Sequence, residues 1–273
     1  MISPDALLYI YEIRGEMRDE IFIPPSSFVG LWNEEDFSYL FFTATEDDYV
    51  GRLVSSWGGA LSSRHEMRYK DWQTGVPPGG VYVGGFIFVS ADHPVPPPGS
   101  LLLDPSVVFG DGSHPTTVSC LRFTEEIIRK RHVGSMLDLG TGTGILALAA
   151  AAMGVERILA VDRNHLAALT AAENVRMNSL SSKVEVVEGE ARLFLDRPFD
   201  LVAANLPFNI LRDLIPLKEV PLHKAWIVSG IDARQGEVLI ELFAEQGFQL
   251  LEHCADPPWV TFAMIKTAYT ALQ

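Results

Sequence analysis

The stretch Met136–Asn164, MLDLGTGTGILALAAAAMGVERILAVDRN, decides the fold. An apolar run from Met136 to Leu139 meets glycines at Gly140, Gly142 and Gly144. An alanine-rich segment follows, then a second apolar run that ends in Asp162. The pattern is strand, tight turn, helix, strand. In an open parallel sheet, ligands bind beyond the carboxyl ends of the strands, so the turn and Asp162 fall on one edge. Glycines at such a turn permit positive φ and close backbone approach. A dinucleotide fingerprint needs its third glycine one position later, where this chain has Ile145; the spacing is GxGxG. That spacing admits an adenosine ligand without a pyrophosphate.

The alternation continues beyond this stretch. KVEVVEGE, FDLVAAN, KAWIVSG, FQLLEHC and WVTFAMIKT read as strands. NHLAALTAAENVRMNSL, ILRDLIPL and ARQGEVLIELFAEQ between them read as helices, and PTTVSCLRFTEEIIRKR before them opens with Pro115 in a helical first turn. This predicts an α/β fold, a mostly parallel sheet with helices on both faces. The N-terminal part reads differently. ALLYIYEI, SFVGLW and SYLFFTA are strands, the last two a hairpin across NEEDF; EDDYVGRLVSSW is a short helix. LSSRHEMRYKDW and VYVGGFIFVS can each supply a further strand. The expected organisation is a small α+β domain over 1–91, a stiff proline-rich linker over 92–100 and the larger α/β domain over 101–273.

Three carboxylates belong to the strand-end edge. Asp162 can accept hydrogen bonds from both ribose hydroxyls. Asp138, just before the turn, can orient a cationic ligand tail, and Glu190 in VVEGEAR lies where an acid can meet an adenine amine. Singly, each reads as well as a solvated carboxylate beside a tight turn; together on one edge they read as a site. In FDLVAANLPFN, Asn205 ends an apolar strand and is followed by Pro207 and Phe208. An amide on a proline-stiffened turn can hold an amino group, and an aromatic face stabilises a nearby cation. The alternative for Asn205 is a helix cap.

The bulk numbers narrow the partners. The 273 residues carry 21 basic and 35 acidic side chains, a net charge of −14. Met1–Ser90 has 6 basic and 13 acidic residues and the remainder 15 and 22, so each part is −7. Neither part is basic, which argues against direct nucleic-acid binding through the phosphate backbone and for a cationic protein or a small molecule. Two cysteines, Cys120 and Cys254, are too few for a disulfide framework and read as reduced core thiols. MISPDALLYIYEIRGE has neither the basic start nor the long apolar run of a secretory signal, and Ile145–Gly154 is too short to cross a bilayer. A cytoplasmic protein without a membrane partner is expected.

LDLGTGTGILALAAAAMG…AVDRN resembles class I S-adenosylmethionine-dependent methyltransferases. FGDGSHPTT at Phe109–Thr117 resembles the FGxGxHPTT signature of the ribosomal protein L11 methyltransferase family. FDLVAANLPFNIL and the segment from SGIDARQGEV to Lys266 are similar to that family's later parts, and DWQTGVPPGGVYVGG is a weaker echo. The resemblance implies S-adenosylmethionine as cofactor, contacted by Thr117, Gly140, Asp162 and Asn205. It also implies a twisted seven-stranded sheet whose last strand is antiparallel, and an N-terminal substrate-recognition domain. Gly110 and Gly112 would make Phe109–Thr117 a flexible lid. Two departures bear on the acceptor: EMRDEIFIPPSS shows no first helix, and NLPF stands where the family usually has an Asn-Ile-Leu-Ala type sequence.

The function implied is N-methylation of amines on a protein, ribosomal protein L11 or a similar basic protein, with Asn205, Pro207 and Phe208 positioning the acceptor. NLPF also resembles the loop of methyltransferases that act on planar amines, which leaves an adenine-amine RNA methyltransferase as one alternative and a non-catalytic cofactor-binding module as another. No metal site is expected. His114 is a candidate general base, with a loop histidine bonded to the backbone as the competing reading.

Overall fold

The computed structural model describes residues 5–15, 17, 24–34, 36–72, 76–77 and 79–267, which form two compact units. Most of EMRDEIFI and part of the DWQTGVPPGG echo lie outside the described residues.

The smaller unit comprises Met1–Gly75 with Ser106–Val108 and Asn164–Leu166. Its antiparallel sheet contains β1 (Leu7–Arg14), β2 (Phe28–Glu34), β3 (Phe37–Phe42) and β4 (Ala60–Arg68), in the order β2-β3-β1-β4. The helix α1 (Asp47–Trp57) begins with Asp47 and Asp48, which suit its positive end, and stops at Gly58 with φ of 83°. It buries Val50 and Leu53 in a core with Tyr11, Ile13, Leu31, Leu40 and Phe42. The Tyr11 hydroxyl donates to Asp47 at 2.8 Å and accepts from the Glu46 amide at 2.9 Å, which fixes the start of the helix over β1. A single turn, α2 (Tyr69–Trp72), follows β4.

The larger unit holds Val76–Pro105, Phe109–Arg163 and Ala167–Gln273. It starts with a three-stranded sheet of β5 (Val81–Val83), β6 (Phe86–Ser90) and β7 (Leu101–Leu103). The sequence reading drew its boundary at Ala91, but these strands pack in the larger unit. The proline-rich stretch 92–100 joins β6 to the parallel β7 and so lies within one sheet.

Next come α3 (Pro115–Lys130), β8 (Ser135–Leu139), α4 (Ile145–Ala152), β9 (Arg157–Asp162), α5 (His165–Met177) and β10 (Val184–Glu188). The chain continues through β11 (Leu201–Asn205), α6 (Phe208–Leu214), β12 (Ala225–Asp232), α7 (Ala233–Glu245), β13 (Phe248–Asp256) and β14 (Trp259–Lys266). The seven strands lie in the order β10-β9-β8-β11-β12-β14-β13, and only β14 runs antiparallel to its neighbours. This is the expected sheet.

Its inner strands β8, β9, β11 and β12 are near-continuous buried apolar runs because helices cover both faces, while of the edge strands β10 is partly and β13 largely exposed. Met136, Ala203 and Ile227 join one core with Leu121, Phe123, Ile127 and the whole of Ile145–Ala151. Leu137, Val202, Trp226 and Val228 join the other with Leu211, Leu239 and Phe243. Residues Ile145–Ala151 of α4 are all buried, as a helix packed between layers requires, and only its last residue, Ala152, is exposed. Among the described residues no helix is long and apolar enough to cross a membrane. Both cysteines are free, and burial pushes the Cys120 thiol up to about 12, which makes it inert.

Candidate active site

β8 delivers Asp138 and Leu139 into the glycine turn. Gly140, Gly142 and Gly144 have φ of 69°, 57° and 82°, the left-handed region that glycine enters without cost. The Gly140 and Thr141 amides both donate to the Val161 carbonyl, at 2.8 and 3.0 Å. The Gly142 amide donates to Oδ2 of Asp162 at 2.9 Å. Asp162 is therefore more than a carboxylate at the tip of β9: it ties down the middle of the turn. Asp138 is 1% exposed and accepts a 2.6 Å hydrogen bond from the Thr141 hydroxyl. Burial, and secondarily the charge of Asp162, push its carboxyl up to about 7 against the pull of that hydrogen bond.

The segment FGDGSHPTT lies against this turn. The Thr143 hydroxyl donates to the Gly110 carbonyl at 2.7 Å. Gly110 and Gly112 have φ of 112° and 89°, and a Cβ on Gly112 would stand 3.1 Å from Ile145 Cδ1. These glycines answer a conformational and packing need in this conformation of the segment. Asp111 accepts from both the amide and the hydroxyl of Ser113, at 2.9 and 2.6 Å. His114 then caps α3, its Nδ1 accepting from the Thr116 amide at 3.4 Å. Burial lowers the His114 pKa against the opposing influence of Asp111, so the ring is neutral at pH 7.

A chain of hydrogen bonds starts there. Thr116 Oγ1 lies 2.8 Å from His114 Nδ1, and Asn205 Nδ2 donates to Thr116 Oγ1 at 3.1 Å. With Nδ1 already an acceptor, the hydroxyl proton points to the ring and the hydroxyl oxygen receives the Asn205 amide. This orients the amide: its nitrogen faces Thr116 and its oxygen faces away, toward Gly230, whose Cβ would lie 3.1 Å from Oδ1.

The loop after β11 completes the geometry. Asn205, the last residue of β11, pairs with Ser229 within β12. Leu206 lies over the glycine turn, close enough that a Cβ on Gly140 would meet its Cδ2 at 2.3 Å. Pro207 precedes the first turn of α6, and Phe208 opens that helix. Beyond them is a cavity of about 540 Å³ lined by Pro207, Phe208, Gly230, Asp232, Gln235 and Trp259, among others. The His114 ring stands between Phe109 and Trp259, edge-to-face with each at 5.1 and 5.4 Å.

The sheet edge thus brings together Asp138, the three glycines, Asp162, Asn205, Pro207 and Phe208. Glu190 is exposed just past the end of β10 at the start of a short 3-10 helix, with no side-chain capping bond. Thr117 is buried in the first turn of α3, and its neighbour Thr116 makes the bond to Asn205. Thr116, Asp232 and Trp259 escaped the sequence reading. Thr116 was signalled by the HPTT motif itself; Trp259 is far from Asn205 in sequence and carries no local signal. Among the described residues no group of three or more His, Cys, Asp or Glu is arranged to hold a metal.

Residues 69–267 match the profile of the family described as ribosomal protein L11 methyltransferase. The ribosomal protein L11 methyltransferase of Desulforamulus reducens is 36% identical over 175 residues, which cover 63% of this chain and 56% of the relative. That of Staphylococcus saprophyticus is 36% identical over 160 residues, 58% of this chain and 51% of the relative. The crystal structure of ribosomal protein L11 methylase from Lactobacillus delbrueckii subsp. bulgaricus matches with a TM-score of 0.59 and 28% identity, over 66% of this chain and 94% of that one. The chain spans about half the length of the curated relatives it matches. With a match over 69–267 that takes in the glycine turn, the HPTT segment and the loop after β11, this chain belongs to the ribosomal protein L11 methyltransferase family.

Proposed function

We propose that the chain is an S-adenosylmethionine-dependent N-methyltransferase that acts on amines of a protein, ribosomal protein L11 or a similar basic protein. The observation that carries this reading is the fixed amide of Asn205, whose oxygen is turned away from Thr116 beside the glycine turn. The residues present suit the cofactor. Gly140, Gly142 and Gly144 hold a positive-φ turn at the strand-end edge that lets a ligand approach the backbone, and the buried Asp138 is a carboxyl ready to meet a cationic tail. Asp162 would hold the ribose, Glu190 the adenine amine, and Thr117 the methionine end.

The cofactor supplies a methyl group already activated by a sulfonium, so the protein's task is chiefly alignment, an effect worth up to ~7–11 kcal/mol. The Asn205 oxygen accepts a hydrogen bond from the acceptor nitrogen and turns its lone pair toward the methyl. Pro207 and Phe208 bound the approach. A lysine acceptor must first lose a proton, which at neutral pH costs roughly 4–5 kcal/mol from a pKa of about 10.4. The apolar walls of Pro207, Phe208 and Trp259 lower that cost by disfavouring the ammonium. His114 does not serve as the base, because its Nδ1 already accepts from Thr116. The net charge of −14 supports a cationic acceptor over RNA.

The test is transfer of a labelled methyl group from S-adenosylmethionine to purified ribosomal protein L11 and to ribosomal RNA, with mass spectrometry of the product. Label on protein amines is expected. Label confined to RNA, or none on either, overturns the proposal.

A further inference from the structure

The cavity next to Asn205 contains one acidic side chain whose position does not suit the reacting nitrogen. Asp232 ends β12 and caps α7: its Oδ1 accepts from the Gln235 amide at 2.9 Å, and Gln235 Oε1 accepts from the Asp232 amide at 2.9 Å. This reciprocal box leaves Oδ2 of Asp232 as the remaining acceptor in the cavity wall. The wall also contains Phe208 and Trp259, and Trp259 pairs with Asp232 across β12 and β14. Gly230, another wall residue, adjoins the Asn205 oxygen, so the cavity opens onto the methyl-transfer position.

Asp232 and Asn205 occupy different positions along the sheet edge. Asp232 is three residues along β12 from Ser229, the partner of Asn205, which is at most ~10 Å at ~3.3 Å per residue. A carboxylate touching the acceptor amine would hold its proton and oppose transfer. One set at the far end of the cavity leaves the reacting nitrogen free to deprotonate, yet still attracts another cation. Arg212 does not take that role: it lies over the Phe208 ring at 5.9 Å and pairs with Asp213 at 3.0 Å.

Resting on the amine-methyltransferase reading, we propose that Asp232 recognises a second positive charge on the acceptor chain, so that the enzyme selects an amine with a basic residue close by. The aromatic walls fit the same occupant, since they pack the alkyl stems of Lys and Arg while the charged head reaches the carboxylate.

Asp232→Asn tests this cleanly, because asparagine caps a helix as well as aspartate and the box with Gln235 survives. Two peptide libraries serve as acceptors: one acetylated with a single fixed lysine, one with a free α-amine and no acceptor lysine, each with the neighbouring positions randomised. Methylated products are sequenced, and KM and kcat are measured for matched peptides with and without one neighbouring arginine. The wild type should enrich a basic residue within two or three positions of the methylated nitrogen. Asp232→Asn should abolish that enrichment and raise KM for the arginine peptide roughly two- to fivefold with kcat little changed, the range of a partly exposed ion pair. Equal enrichment in both proteins, or none in the wild type, overturns this inference while methyl transfer itself upholds the amine reading. Absence of transfer to either library by the wild type, if ribosomal protein L11 is also unlabelled, overturns both.

Discussion

Asn174 Nδ2 donates to the main-chain oxygen of Thr143 at 2.9 Å, from the middle of α5 into the glycine turn. The same side chain exchanges two hydrogen bonds with the backbone of Asp104, each 2.9 Å. One turn later Asn178 makes a matching pair with Leu102, at 2.8 and 2.7 Å, without touching the turn. The two asparagines thus satisfy the edge of β7 alike, and only the first also fixes the turn. Asn174→Ala and Asn178→Ala should each cost about 1–3 kcal/mol of stability through unpaired buried backbone groups. Cofactor affinity should fall only in Asn174→Ala. Denaturant titration and calorimetry with S-adenosylmethionine read the two effects; equal loss of affinity in both variants would show that the turn is not what Asn174 serves.

Asp162→Ala should weaken S-adenosylmethionine binding by roughly 1.5–3 kcal/mol, the scale of charge-assisted hydrogen bonds. Because Asp162 also holds the Gly142 amide, hydrogen exchange at Gly142 should quicken even without ligand. Asp162→Asn retains an oxygen for that amide and should restore slow exchange more than it restores affinity. Unchanged affinity in a folded Asp162→Ala protein would remove Asp162 from the cofactor site.

Asn205→Ala should lower kcat far more than it changes cofactor affinity, since alignment is lost only when the acceptor is in place. Thr116→Val should act in the same direction by releasing the Asn205 amide nitrogen, about tenfold or more in kcat, while Thr116→Ser restores activity. Undiminished turnover in Asn205→Ala would sink the alignment role.

Two buried groups should shape stability against pH with opposite signs. His223 is fully buried beside Phe199 and Trp226, with Nδ1 accepting from the Phe199 amide, and burial lowers its pKa to about 4. The unfolded chain binds this proton more readily, so stability present above pH ~6.5 is lost as pH falls toward 4, by about 3 kcal/mol. Asp138 runs the other way. Its raised pKa of about 7 makes the folded state the stronger proton binder, so its contribution is full below pH ~4 and is lost as pH rises through 7. Between pH 4 and 6.5 the two slopes offset each other. Asp138→Asn should therefore show a steeper rise of stability with pH in that window, and His223→Gln a fall, in denaturant titrations of the ligand-free protein. Parallel curves for both variants and wild type would contradict the shifts.

Much of the larger unit was legible because its chemistry is periodic. Strands covered on both faces leave continuous apolar runs, and Gly140, Gly142, Gly144 and Asp162 punctuate them where an edge site must be. What was not legible depends on partners distant in sequence. Val81–Val83, Phe86–Ser90 and Leu101–Leu103 would be equally apolar in either unit, so their place with α3 and α4 could not be read. The tie from Asp162 to Gly142 spans twenty residues, and the bond from Asn205 to Thr116 spans 89. No local pattern marks such pairs. Of the two threonines in HPTT, the motif named Thr117, while the rotation of the first turn of α3 brings Thr116 to Asn205.

The reversed direction of β14 has a consequence for how the cavity beside Asn205 can change. A strand parallel to the rest would begin at the opposite edge of the sheet; β14 begins at the edge where Asn205 and Asp232 end. The tip of the hairpin formed by β13 and β14, with Pro258 and Trp259, therefore walls the cavity beside Asn205, whereas the glycine turn belongs to β8 and β9 on the other side of β11. On the proposed reading, the hairpin tip that walls the cavity and the glycine turn lie on strands that do not pair with each other, with β11 and β12 between β8 and β14. Mutations in a hairpin tip are among the easiest for a fold to absorb, so specificity can drift there while the methyl donor stays the same.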